Sequence, residues 1–147
     1  MIRHATHDDI GAIIAMSEKF YATTHYSRWA DFNPETVESL ATNLLENHIL
    51  LVAEHDGAVV GMVGLFVAPF MFNAERVGAY EVVWWVNPDA QGAGVGMELL
   101  AAIEPACREK GVHAIQMVMM ANSPPKAQAI YERFGYVHSE TSFTKEL

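Results

Sequence analysis

Apolar positions along the chain follow two periods. Ile10, Ile13, Ile14 and Met16 recur at the spacing of one helical face, and Thr6 or Asp8 ahead of them supplies a cap, so a helix is predicted through about Tyr21. The opening "MIRHA" reads as a short first strand. After the loop "ATTHYSRWADFNP", Pro34 suits the first turn of a second helix with Val37, Leu40, Leu44 and Leu45 on its inner side. "HILLVAEHDGAVVGMVGLFVA" reads as two strands joined by Asp56-Gly57, a pair that tolerates the positive φ angles of a tight turn. "AYEVVWWV" (79 to 86) predicts a buried strand, "MELLAAIEPACREKG" most of a third helix closed by Gly111, and "HAIQMVMM" a further strand. "SPPKAQAIYERFG" reads as a last helix with Ser123 at its cap and Gly135 after its end, and "YVHSETSFTKEL" as one or two closing strands. Strands in pairs, with helices between others, predict one α/β domain over residues 1–147 with a mixed sheet covered by helices.

Composition narrows what such a domain does. No apolar run approaches the roughly 18 residues of a membrane span, and "MIRHATHDD" lacks a basic segment followed by an apolar one, so a soluble, cytoplasmic protein is expected. The single Cys107 forms no internal disulfide, which fits a reducing compartment. Nine Lys and Arg against eighteen Asp and Glu give a net charge of -9, the wrong sign for binding phosphate backbones, so nucleic acid is not an expected partner and a cationic one is. The seven histidines are scattered, with no His-x-x-x-His pair and no Cys/His cluster, so no metal is expected.

One stretch carries candidate chemistry. "VNPDAQGAGVGMELL" places Gly92, Gly94 and Gly96 between a strand and a helix, where backbone N–H groups can approach a ligand and the positive end of the helix dipole favours an anion. A dinucleotide fingerprint fails because its last glycine falls on Met97. A nucleoside-triphosphate loop fails because Gly96 is followed by Met97-Glu98. What remains is Gln91-Gly92-Ala93-Gly94-Val95-Gly96, or Q-x-x-G-x-G.

That turn resembles the acyl-CoA pyrophosphate loop of the GNAT superfamily of N-acyltransferases, and "AQAIYERFGYV" resembles the second signature of the same family. "IRHATHDD" is similar to its opening strand and helix cap, so the likeness spans nearly the whole chain and is strongest over 79 to 137. The resemblance implies a mostly antiparallel mixed sheet splayed between its fourth and fifth strands, helices on both faces, and acetyl-CoA as co-substrate. It implies an N-acetyltransferase that moves the acetyl group to a primary amine of a small molecule or peptide. The alternative is a CoA-binding regulatory or interaction module on the same fold without turnover.

Residue by residue, the likeness gives Gln91 to Gly96 a role in holding pyrophosphate. It gives the backbone of Trp84 or Trp85 a role toward a developing oxyanion, and Val86 one toward the pantetheine arm. Tyr131 matches the tyrosine that protonates the departing thiolate, although an aromatic at helical spacing also fits a core. Glu81, a carboxylate inside an apolar strand, matches a general base acting through water; a structural ion pair with an Arg or Lys is the other reading. Strict alternation places Glu81 with Val83 and Trp85 on one face, and Tyr80, Val82, Trp84 and Val86 on the other. Residues 91 to 96 carry no positive charge, and Pro124 stands where the family often has a CoA-contacting Asn. Asn122 and Lys126 are the remaining cofactor-binding candidates. "HYSRWADFNP" and "APFMFNAERV" are expected to border the acceptor cleft, though a hydrophobic lid or a homodimer contact would use the same residues. A polyamine, an aminoglycoside-like compound, an amino acid and a protein amine all remain open as acceptors.

Overall fold

The computed structural model describes all 147 residues. Its regular elements are β1 (Ile2–His4), α1 (Ile10–Thr23), α2 (Pro34–Asn47), β2 (Ile49–His55), β3 (Ala58–Phe70), β4 (Asn73–Val86), α3 (Val95–Glu109), β5 (Ala114–Gln116) and α4 (Lys126–Arg133). The strands form one sheet in sequential order, antiparallel from β1 through β4 and parallel between β4 and β5.

The unbroken apolar run of β2 is explained by burial on both faces. Ile49, Leu51 and Ala53 pack with Val63, Leu65 and the Leu99, Leu100, Ile103 side of α3. Leu50 and Val52 pack with Met62, Ile13 and Met16 of α1, and Ala41 and Leu44 of α2. Helices therefore cover both faces, as the resemblance implied. At the β2–β3 turn Asp56 has φ 50° and Gly57 φ 77°, the paired left-handed geometry that Asp-Gly accommodates. The side chain of Asn33 accepts from the Thr36 N–H at 2.8 Å, so α2 has a side-chain cap ahead of Pro34.

The last helix, α4, opens at Lys126 after Pro125 with no side-chain cap, not at the expected Ser123, and three expectations about the strands also change. First, β4 begins at Asn73, and residues 73 to 78 complete a long hairpin with β3 whose tip exposes Met71 and Phe72. Second, the ladder steps from Gly64↔Val83 to Leu65↔Glu81, leaving Val82 as an extra residue. This bulge reverses the alternation: Glu81, opposite Leu65, lies on the α3 face with Trp84 and Val86, while Val82, Val83 and Trp85 pack toward α1 and α2. Third, the stretch 113 to 120 is strand only over Ala114–Gln116, and residues 134 to 147 form no closing strand. A strand needs a partner for its N–H and C=O groups, and beyond Gln116 the chain has left β4 without gaining a neighbour on its other side.

Candidate active site

The divergence of β5 from β4 makes the site. The two strands pair only through Gly78–Tyr80 and Ala114–Gln116, and His113 donates its N–H to the Val77 carbonyl at the closed end. Past Gln116 two side chains stand where backbone bonds would be. Glu81 Oε2 accepts the N–H of Val118 at 2.7 Å, and the Tyr131 hydroxyl, from α4, donates to the Val118 carbonyl at 2.9 Å. The two catalytic candidates thus meet at one backbone residue.

The open edge of β4 offers unused backbone groups. Asn87 donates to Val60 across the ladder, so residues 87 and 85 turn toward β3, and period two turns the N–H groups of Val86 and Trp84 toward the cleft. The Val86 carbonyl accepts from Gln91 Nε2 at 3.0 Å, which ties the glycine turn to the strand end. Gly92 and Gly94 both have φ 87°, and a Cβ at either would meet nothing within 4 Å, so solvent or ligand reaches their backbone freely. Gly94 is the N-cap of α3, and the first helical bonds come from the N–H groups of Met97 and Glu98 to its carbonyl. Those of Val95 and Gly96, in the first turn, have no partner within the helix. Trp84 spans the interval between turn and hydroxyl. Its ring lies 5.7 Å from that of Tyr131, its Cζ2 would lie 3.6 Å from a Cβ on Gly96, and its buried indole N–H has no acceptor.

Electrostatics separate the two titratable groups. Burial raises the Glu81 carboxyl to about 7, against a smaller lowering by the Val118 N–H. No Arg or Lys bridges to it, so the ion-pair reading finds no partner. Burial, then the Glu81 charge and Tyr136, hold the Tyr131 hydroxyl well above the usual phenol range. The same neighbourhood pushes Tyr136 up to about 12. The glycine turn and helix start fit an anionic, phosphate-bearing ligand, and the open edge fits an extended amide arm.

Two other candidates stand apart. Asn122 Nδ2 donates to the Thr23 carbonyl at 2.7 Å, joining the turn before α4 to the end of α1, and lines a separate polar cleft there. Lys126, the first residue of α4, is exposed and makes no ion pair. No group of three or more His, Cys, Asp or Glu is disposed to hold a metal. Sequence reasoning missed Val118, whose role lies in its backbone and which no residue type could signal.

The profile of the acetyltransferase (GNAT) family matches residues 14–136. The chain belongs to this family. An amino-acid acetyltransferase of Ralstonia nicotianae is 29% identical over 140 residues, covering 94% of this chain and 26% of that protein. A mycothiol acetyltransferase of Arthrobacter sp. (strain FB24) is 30% identical over 106 residues, 69% of this chain and 32% of that protein. The chain thus spans about a quarter to a third of the length of these curated relatives. In fold, it resembles a "predicted acetyltransferase with acetyl-CoA" from Clostridium acetobutylicum, with TM-score 0.76 and 15% identity over 99% of this chain and 95% of that one. In this GNAT chain Gln91 ties the glycine turn to the end of β4, and Trp84 of β4 packs on Tyr131, which meets Glu81 at Val118.

Proposed function

We propose that this GNAT domain is an N-acetyltransferase that carries the acetyl group of acetyl-CoA to a primary amine by direct attack in a ternary complex. The observation that carries the reading is the meeting of Glu81 and Tyr131 at Val118, in the mouth of a splay that runs to the glycine turn. Bound there, acetyl-CoA supplies an activated thioester. The N–H groups at the start of α3 hold its pyrophosphate, and Val86 and Trp84 hold the pantetheine arm and the thioester carbonyl from the open edge of β4.

An amine with an ordinary pKa near 10.4 must lose a proton before its nitrogen attacks, and a carboxylate raised to about 7 is a better matched base than one at its usual value. Tyr131 stays protonated and hydrogen-bonded to the Val118 carbonyl; as the C–N bond forms and the C–S bond breaks it protonates the departing thiolate, and the second proton shed by the nitrogen restores the phenol. The two steps assist each other. The Glu81 charge is one cause of the raised Tyr131 value, so neutralising Glu81 with the amine's proton makes the phenol more acidic when the sulfur leaves.

The test is a turnover screen of acetyl-CoA against amine classes, following thiol release and product mass together. Thiol release matched by an acetylated product supports the reading. Tight CoA binding without turnover on any class would favour the regulatory-module alternative, and no CoA binding would refute both.

A further inference from the structure

Residues 137 to 147 are strand-like in composition, yet none of their N–H or C=O groups joins a backbone hydrogen bond. Val137 and Phe143 stand exposed and belong to neither core cluster. Side chains hold the segment: Gln116 Nε2 donates to Glu140 Oε1 at 2.8 Å, and the Thr141 hydroxyl lies 3.3 Å from the His138 ring. A stretch with no ladder and so few buried groups opens at little cost.

Its anchor lies beside the reacting groups. Gln116 ends β5 two residues before Val118, where Glu81 and Tyr131 meet. The Gln116–Glu140 contact and those two residues put the Cα atoms of Glu140 and Val118 within about 20 Å of each other. Lys145 follows Glu140 by five residues, and that tether with the lysine stem extends to about 24 Å, so its Nζ has the reach to arrive at Glu81. Lys145 is exposed and makes neither an ion pair nor a side-chain hydrogen bond. The other lysines lack this freedom. Lys19 stands on α1, Lys110 caps the end of α3 remote from the glycine turn, and Lys126 opens α4, so the fold fixes each backbone. Lys126 shares α4 with Tyr131, but five residues turn it by about 140° around the axis to another side.

We propose that Lys145 is a modification site of this chain's own activity, acetylated in cis when its amine enters the cleft as an acceptor. The inference rests on the N-acetyltransferase reading above and adds an acceptor that the protein carries with it. Glu81 takes the first proton of the ammonium, and Nζ bonds to the acetyl carbon as the C–S bond breaks. CoA leaves as the thiol with the proton of Tyr131, the second proton shed by Nζ restores the phenol, and Glu81 returns its proton to solvent. The tether holds this amine at an effective concentration on the order of millimolar, so it is acetylated ahead of any dilute external amine. Acetyl-lysine is uncharged and no longer a nucleophile, so the competition ends with the modification.

The experiment incubates the full chain with saturating acetyl-CoA and no added amine, and follows each lysine by peptide mass spectrometry together with thiol release. Lys145 should be acetylated about tenfold or more faster than Lys19, Lys110 or Lys126, with a rate constant unchanged over roughly a hundredfold range of protein concentration. The preference should vanish in urea, and Lys145→Arg should abolish the thiol released without acceptor. Equal labelling of the four lysines, or a preference that survives unfolding, means uncatalysed chemistry and overturns the proposal. A rate constant proportional to protein concentration means reaction between chains and overturns it as well. External amines turned over beside an unlabelled Lys145 overturn it while the acetyltransferase reading stands; neither labelling nor external turnover overturns both.

Discussion

Replacing Glu81 with Gln keeps the shape of the side chain and an oxygen for the Val118 N–H, but removes the ability to ionise. The native carboxyl is raised from an ordinary 4.5 to about 7, and burial is the main cause. The sign follows from proton counting. Between those two values the folded chain binds more protons at this site than the unfolded chain, so its contribution to stability falls as pH rises through the window and is flat above it. The gap between 4.5 and about 7, at 1.36 kcal/mol per pH unit, is worth about 3 kcal/mol at full ionisation. Part of this returns as the unsatisfied amide of the glutamine. Urea unfolding should therefore show Glu81→Gln about 1–3 kcal/mol more stable than wild type at pH 8 and nearly equal to it at pH 4.5. The same variant should lose turnover by roughly 10²-fold near neutrality, with a deficit that shrinks as pH approaches the amine's own pKa and solution supplies free amine. Stability gained where activity is lost is the mark of a strained functional group. Parallel stability-versus-pH curves for the two proteins would refute the burial argument. A turnover deficit that tracks unfolding would refute the role as base.

Three further outcomes can be checked independently. Gly94→Glu should raise the Kd for acetyl-CoA by about tenfold or more while the fold survives, and because φ is 87° at that residue, Gly94→Ala serves as the control for strain without charge. Tyr131→Phe should keep acetyl-CoA affinity and lower kcat by roughly 10²-fold, with a deficit that does not recover at high pH; full activity would return the ring to a packing role. Arg3 holds Asp9 near 2 through hydrogen bonds at 2.7 and 3.0 Å, an acid lowered from its ordinary value, so this contribution is complete above pH 4 and lost as pH falls toward 2. Asp9→Asn should flatten that part of the acid-unfolding curve, and unchanged acid sensitivity would sink the assignment.

Much of this fold was legible because its signals are local. Asp56-Gly57 announced a hairpin, Pro34 a helix start, and Gly111 and Gly135 helix ends, where φ values of 68° and 84° need a residue without Cβ. The glycine turn was legible as a turn for the same reason, with Gly92 and Gly94 both at φ 87°. The misreadings concern relations between strands. Val82 looks like any other residue of an apolar run, and only its pairing with β3 makes it a bulge and moves Glu81 to the face of Trp84. "MVMM" and "YVHSETSFTKEL" have strand-like composition but lie without ladder partners, and pairing, more than composition, makes a strand.

Backbone ladders hold strands about 4.8 Å apart whatever their sequence. Where Glu81 and Tyr131 replace the ladder, the gap between β4 and the chain beyond β5 depends on the reach of two side chains from different elements. Aperture thereby becomes an inheritable dimension, adjustable by a methylene at one position without disturbing any strand pairing. Glu81→Asp is the smallest such adjustment, and its consequence is a narrower gate rather than a different fold.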